Sequence, residues 1–270
     1  MERLLLGNNL HSFYGRNFGK FSSTNQPMFR VTAQLLFCLL FLLSFAQPAT
    51  AQDSAFKAKH AAIMFPYPMY QEKWRSALGL TLLTTPEDIT EEVRLRIPCG
   101  DFRVLRRISN YLLSDNRIMF QFLQNHLSTG LHVSIPVNSN FYLRAGDDIG
   151  YWFGFLKVSG FNSTASGWLN YASVSAGYKT RRNLLISFKA QVSYNLFYKA
   201  ANGENKFRSS SSYYNGETFT VALEQPFYGK RHFVLAFSTI NNYFYWQTWA
   251  LFYKTNRKVF YPQITMAFIL

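Results

Sequence analysis

The sequence predicts an all-β protein: an antiparallel transmembrane β-barrel of about eight strands, with ten as the alternative, after an N-terminal signal-peptide helix. Three observations carry this. An export signal lies near the N-terminus, long stretches place an apolar side chain at every second residue, and aromatic residues crowd those stretches.

The export signal is "LLFCLLFLLSFAQPATAQDS", residues 35–54. Its uncharged core, Leu35 to Phe45, falls short of the ~20 apolar residues a helix needs to cross a bilayer. Arg30 supplies the positive flank, and Ala49-Thr50-Ala51 supplies the small-x-small pattern of signal peptidase, so cleavage is expected after Ala51, leaving Gln52 first. Lipidation would need a small residue before the cysteine, but Phe37 precedes Cys38. Residues 1–27 are polar and read as an upstream extension before a natural start at Met28. Residues 28–51 are the signal peptide, 52–74 an N-terminal segment and 75–270 the barrel.

Removing residues 1–51 takes Arg3, Arg16, Lys20, Arg30 and Glu2 from the 28 basic and 14 acidic residues, leaving a net charge of about +11. In an exported chain that basicity addresses lipid phosphate and anionic saccharide and not nucleic acid. The expected partners are outer-membrane lipid, lipopolysaccharide and, during insertion, the barrel-assembly machinery. Cys99 alone survives cleavage, so no internal disulfide is available, and the scattered histidines give no metal motif. No cofactor is expected.

The alternation is plainest from Leu184 to Tyr198, where Leu184, Ile186, Phe188, Ala190, Val192, Tyr194, Leu196 and Tyr198 oppose Lys189, Gln191, Ser193 and Asn195. "FYLRAGDDIGYWFGF" puts Phe141, Leu143, Ala145, Ile149, Tyr151, Phe153 and Phe155 on one face and Arg144 and Asp148 on the other. "ITEEVRLRI" opposes Ile89, Val93, Leu95 and Ile97 to Glu92, Arg94 and Arg96. "ETFTVALEQPF" opposes Phe219, Val221, Leu223 and Phe227 to Thr218, Thr220 and Glu224. These runs exceed the ~5–6 residues of an ordinary soluble strand and match the ~9–11 of a membrane-spanning one. Tyr151, Trp152, Trp168, Tyr171, Tyr194, Phe197, Tyr198 and "NYFYWQTW" (242–249) fit aromatic girdles.

Short turns "PVNSN" (136–140), "KTRRN" (179–183) and "FYGKR" (227–231) alternate with longer polar stretches at 157–167 and 200–215. Strands are therefore expected near 89–98, 118–136, 140–156, 168–180, 184–198, 214–228, 231–253 and 259–269. An extra strand at "SALGLTLLTT" (76–85) and a split of 231–253 at "INNY" would make ten. "GDFRVLRRISNYLLSDN" (100–116) becomes a basic extracellular loop carrying Arg103, Arg106 and Arg107, either an interfacial helical segment meeting lipid phosphates or a solvated loop.

The polar set expected in the lumen is Glu92, Arg94, Arg96, Gln124, Arg144, Asp148, Lys189, Gln191, Asn195 and Glu224. Eight strands leave an interior that side chains fill, whereas ten or more would let the same residues line a narrow passage. Asp147 and Asp148 are no proton-sharing dyad, because neighbours on a strand face opposite sides. Asp147 falls on the outward face unless a bulge near Gly146 re-aims it or it lies above the hydrocarbon.

"PEDITEEVRLRIP" (86–98), "FQFLQNHLSTGLHVSIPVNSNFYLRAGDDIGYWFGF" (120–155), "ALEQPFY" (222–228) and the closing "FYPQITMAFIL" (260–270) resemble the small outer-membrane β-barrel proteins of Bacteroidota, most of them uncharacterised. The last strand also resembles an outer-membrane assembly signal, with Ile264, Met266, Phe268 and Leu270 on one face, although it ends in Leu270 where Phe is usual. The resemblance implies a location and a fold: an outer-membrane barrel with a structural, surface-binding or small-solute passage role and no assigned catalysis. A narrow porin-like channel is one alternative. The other is a lipid hydrolase: His126 and Ser128 share a strand face and are weakly similar to the His-x-Ser of lipid A deacylase barrels, but Thr129 and Gly130 stand where that family has Asn and Gly, and no acid can be assigned.

Overall fold

The computed structural model describes residues 62–70, 72–86, 96–158, 161–209, 212–227, 231–251 and 257–270. The start at Met28, the cleavage site at Ala49 and Ala51, and Glu92 and Arg94 lie outside the described residues. Eleven strands follow in order: β1 Trp74–Thr84, β2 Arg96–Arg107, β3 Leu112–Phe120, β4 Gln124–Pro136, β5 Phe141–Val158, β6 Phe161–Lys179, β7 Leu185–Asn202, β8 Asn205–Ser209, β9 Tyr213–Phe227, β10 Arg231–Asn242 and β11 Val259–Ile269. A 3-10 helix, Trp246–Leu251, precedes β11.

Every strand pairing is antiparallel, β1 pairs with β11, and β6 pairs with β7, which closes the sheet on itself. Strand β7 pairs with β9 over Leu185–Asn195, so β8 stays outside the ring, a short ribbon on the far part of β7. The closed ring therefore has ten strands. Closure leaves no unpaired edge, the one β-arrangement in which every backbone group can be satisfied inside hydrocarbon.

Ten corrects the preferred count of eight, and the strands arise differently from either expectation. "SALGLTLLTT" does form β1, but the 231–253 stretch is not split into two strands: it gives β10 and then the 3-10 helix. The additional strand comes from 96–120, which folds as the β2–β3 hairpin with Leu105 opposite Asp115 and Arg103 opposite Arg117. The expected basic loop at 100–116 is thus a pair of strands joined at 108–111. Likewise the stretch at 157–167 is mostly strand, since β5 and β6 continue in register from Phe141↔Tyr178 to Val158↔Phe161.

The described turns expected at the end of the barrel where β1 starts and β11 finishes are tight, while residues 228–230 of the turn expected at 227–231 lie outside the described residues. In 136–140, Asn138 Oδ1 accepts from the N–H groups of Asn140 and Phe141 at 2.9 and 2.8 Å. In 179–183, Asn183 adopts φ 61°, and its N–H donates to Thr180 O at 3.0 Å. The left-handed region suits Asn and penalises β-branched residues.

The two faces of the sheet are inverted relative to a soluble protein. Leu78, Leu80, Ile118, Phe120, Leu127, Leu131, Ile149, Phe188, Phe219, Val221, Phe237, Phe260, Met266 and Phe268 are all exposed on the outside. Inside lie Arg75, Thr81, Asp101, Asp115, His132, Arg144, Asp148, Glu224 and Thr265, each buried. Strand β11 alternates without exception, with Phe260, Pro262, Ile264, Met266 and Phe268 outward and Val259, Tyr261, Gln263, Thr265, Ala267 and Ile269 inward. Among the described residues no helix is long and apolar enough to cross a membrane.

Asn183→Val should lower the stability of the refolded barrel by about 1–3 kcal/mol, and Asn183→Gly should leave it nearly unchanged. Urea unfolding from detergent micelles checks this.

Candidate functional site: a filled lumen

The interior of the barrel is occupied in three layers. At the end where β1 begins, residues 62–70 lie inside the strand ring. Ala62, Ile63 and Phe65 have no exposed surface and Met69 only 1 %. Ile63 and Met69 pack with Ala77, Leu105, Leu113, Val234 and Ile269, while Ala62, Phe65 and Tyr67 pack with Tyr142 and Leu185.

An irregular segment in a closed space carries backbone polar groups that need partners, and charged side chains of four strands supply them. The Glu224 carboxylate, on β9, accepts from three consecutive backbone N–H groups: Ile63 at 2.9 Å, Met64 at 2.8 Å and Phe65 at 2.5 Å. Arg144, on β5, donates through Nη2 to Phe65 O at 3.0 Å and Tyr67 O at 3.4 Å, and through Nε to Ser134 Oγ at 2.8 Å. Arg75 Nη1 reaches Ala62 O at 2.6 Å, and Arg107 Nη1 donates to Tyr70 O. The approach is close: a Cβ at Gly177 would lie 2.5 Å from Pro66 Cδ and 2.6 Å from Phe65 Cε2.

The middle layer is ionic. Arg103 and Arg117 sit directly opposite each other on β2 and β3, a repulsive placement that two diagonal carboxylates relieve. Asp101 takes Arg117 in a fork, Nε to Oδ1 at 2.8 Å and Nη2 to Oδ2 at 2.5 Å. Asp115 takes Arg103 in a second fork, Nε to Oδ1 at 2.8 Å with Nη2 on Oδ2. Thr81 Oγ1 extends the first pair, 3.0 Å from Asp101 Oδ2 and 2.8 Å from Thr265 Oγ1. His132 extends the second, with Nε2 2.8 Å from Asp148 Oδ1 and 3.9 Å from Asp115 Oδ2. Lys189 and Gln191 face the same layer from β7, opposite the outward Phe188.

The far end is closed by aromatics. After β10 the chain turns inward, and Tyr245, Trp246 and Trp249 pack with Leu83, Cys99, Met119, Trp152, Leu169 and Tyr261. Trp246 stacks on the His126 ring at 5.0 Å, and Gln124 Nε2 donates to Gln247 O at 2.8 Å. A Cβ at Gly154 would lie 2.3 Å from Trp249 Nε1, so only glycine lets the indole pass. Burial holds the Tyr245 hydroxyl above the ordinary phenol range, so it stays protonated and donates to Gln263 Oε1 at 3.1 Å.

Of the expected lumen set, the structure brings together Gln124, Arg144, Asp148, Lys189, Gln191 and Glu224. Asn195 is also buried, its Nδ2 donating to Tyr213 OH at 2.9 Å. Arg96 is a correction: it is exposed, and the inward residues of β2 are the odd-numbered Cys99, Asp101, Arg103 and Leu105. The face assigned from "ITEEVRLRI" is therefore reversed at Ile97, which packs against the inner aromatic cluster. Arg103, Arg106 and Arg107 are corrected too. Arg103 is in the ionic layer, Arg107 holds the 62–70 segment, and only Arg106 is outside, over the Trp74 ring at 5.0 Å. Trp152 and Tyr171, expected in a girdle, point inward.

The residues sequence reading missed are Asp101, Asp115, Arg117 and His132, together with the 62–70 segment. A signal was present, since Asp101/Arg103 and Asp115/Arg117 are each two apart and so share one face of a strand. His126 Nε2 is 3.0 Å from Tyr171 OH, inside the lumen. Among the described residues no group of three or more His, Cys, Asp or Glu is arranged to hold a metal ion.

No family model matches the chain, and no curated protein does. Among solved structures the chain is similar to the translocator domain of autotransporter NalP from Neisseria meningitidis, at 8% identity and TM-score 0.37, covering 89% of this chain and 95% of that one. It is also similar to the Ralstonia pickettii toluene transporter TbuX, at 10% identity and TM-score 0.34 over 84% and 80%. A third is the P. putida toluene transporter TodX, at 9% identity and TM-score 0.30 over 78% and 74%.

Replacing Asp115 alone by Ala should cost about 3–5 kcal/mol, because it strands the Arg103 guanidinium, whereas Arg103→Met with Asp115→Leu should cost far less. Urea midpoints of the two variants against the native protein test this.

Proposed function

We propose that this chain is an outer-membrane β-barrel with a structural and surface-binding role, held shut at rest, and of the small Bacteroidota barrels that its sequence resembles. The observation that carries the reading is the double closure of the lumen, by residues 62–70 at one end and Tyr245–Trp249 at the other. A permanently open porin needs a continuous aqueous path. Here the space that ten strands provide is taken by the chain itself.

The membrane setting is supported by the outer surface. Phe141 and Tyr178 face each other at one level of β5 and β6, and Tyr151 and Trp168 at another, their rings 4.9 Å apart. From Phe141 to Tyr151 the strand advances ~33 Å, or about 25 Å along the axis of a tilted barrel, the height of an outer-membrane apolar band. Beyond the upper pair, β5 to β8 stand clear of that band. There Lys199 and Arg208 are opposite each other on the β7–β8 ribbon, and Lys206 is exposed nearby. These cations suit the phosphates and acidic sugars of lipopolysaccharide.

A hydrolase reading is less well supported. His126 spends its Nε2 on the Tyr171 hydroxyl and stacks on Trp246, which leaves it no approach to a lipid substrate at the membrane surface.

Purified protein should show a heat-modifiable gel mobility, confined to outer-membrane fractions. In planar bilayers the intact protein should be silent, and deletion of 62–70 combined with Trp246→Ala and Trp249→Ala should produce discrete conductance steps. Steady conductance by the intact protein would overturn the closed-barrel reading.

A further inference from the structure

The two ends of the lumen are sealed more tightly than its middle. In one seal Ile63, Phe65, Leu105 and Leu113 keep no more than 1 % of their surface, and in the other Met119, His126, Trp152 and Trp246 keep no more than 4 %. Between them the Arg117 side chain keeps 28 % and that of Arg103 14 %. Ser128, Lys189 and Gln191 are only half-buried. All five face inward from their strands, so the surface they leave open lies inside the closed ring, in a chamber between the seals.

One wall of that chamber carries a row of donors. Arg117 of β3 is paired with Arg103 of β2 on one side and with Ser128 of β4 on the other. Lys189 belongs to β7, which stands opposite β2 in the ring of ten. It lies in the fields of Asp148, Arg103, Asp115 and Arg117, yet its ammonium makes no hydrogen bond or ion pair among the described residues. An ammonium has three donors and no acceptor, and out of bulk water it needs partners.

The carboxylates of the layer are already engaged. Asp101 takes Arg117 and Thr81, Asp115 takes Arg103, and Asp148 takes His132. Each arginine fork spends Nε and Nη2, which leaves Nη1 of Arg103 and of Arg117, like the Ser128 hydroxyl, without an acceptor among the described residues. Donors are in excess. The charges lean the same way, since the described lumen sets Arg75, Arg103, Arg107, Arg117, Arg144 and Lys189 against Asp101, Asp115, Asp148 and Glu224, with Glu72 at the rim on Arg75. One cation is left over, and Lys189 is the one that touches neither a carboxylate nor a carbonyl.

Resting on the closed-lumen reading above, we propose that the chamber between the seals binds a small carboxylate monoanion, with the Lys189 ammonium as its ion-pair partner and Ser128, Arg103 and Arg117 as hydrogen-bond donors. A single surplus charge calls for a monoanion. A row of donors facing a point charge suits a flat group with two acceptor oxygens, and a space sealed at both ends admits few atoms.

The test is to refold the protein from urea into mild detergent with radiolabelled acetate and then desalt it, with heat-modifiability and bilayer conductance read on the same samples. The native barrel, closed at both ends, should keep near-stoichiometric label. Lys189→Met should keep ~10-fold less while remaining heat-modifiable, the loss expected from one charge-assisted contact. Should that variant fail to fold, the native protein decides: an excess of unlabelled acetate during refolding should displace the label, and the same concentration of chloride should not. A silent, heat-modifiable native barrel without label, equal label in Lys189→Met, or equal displacement by chloride would each overturn the carboxylate site. Steady conductance by the native protein would overturn the closure itself, and the site with it.

Discussion

Three consecutive N–H groups on one carboxylate, those of Ile63, Met64 and Phe65 on Glu224, bear the constraint from which the rest of the interior follows. A barrel of eight strands fills its bore with side chains. Ten strands leave more room, and here pieces of backbone occupy it. Backbone brings polar groups that cannot be left bare, so the inner surface must present ions of the right sign. Glu224 meets the donors, and Arg75, Arg107 and Arg144 meet the acceptors. The segment thus solvates barrel ions with its backbone while the barrel satisfies the segment.

The ionic layer above it obeys the same logic with side chains alone. Arg103 opposite Arg117 would be unstable in isolation. Placing Asp115 and Asp101 on the diagonals turns the four into two bidentate pairs, the geometry in which guanidinium and carboxylate bind best. Thr81 and His132 carry these contacts onward to β11 and β5, so polar side chains of neighbouring strands are joined along the inner wall from β11 to β5. At the far end no charge is needed, because Tyr245, Trp246 and Trp249 cap the layer with apolar surface and a few directed hydrogen bonds.

The outside is governed by one demand, that strands show hydrocarbon-compatible side chains between two aromatic levels. Asp147 is conspicuous there, since a carboxyl on that face has no role in the lumen and its hydrogen-bond partner among the described residues is Asn170. The inner and outer faces of β5 thus differ in kind: Arg144 and Asp148 complete a network, and Asp147 stands at the margin of one.

Much of this was legible in the sequence. A period of two over long aromatic-rich runs is a local property, and it identified β5, β7, β9 and β11, their inward Arg144, Asp148, Lys189, Gln191 and Glu224, and the turns at Asn138 and Asn183. What was not legible depended on partners supplied by other strands. The β2–β3 hairpin looked like a basic loop because charges such as Asp101 and Arg103 read as solvent-seeking until the opposing Asp115 and Arg117 are in place. Residues 62–70 carry no strand or helix period, and their position is set by ions on β1, β2, β5 and β9. The aromatics of 245–249 suit a membrane girdle as well as a lid, and Gly154 decides between them by leaving space for Trp249. The sequence by itself determined an alternating sheet that must close, because alternation and backbone pairing are local demands. Tertiary structure alone decided that ten strands close it and that the chain fills its own bore, because pairing of distant charges and the volume of a lumen exist only once the ring is formed.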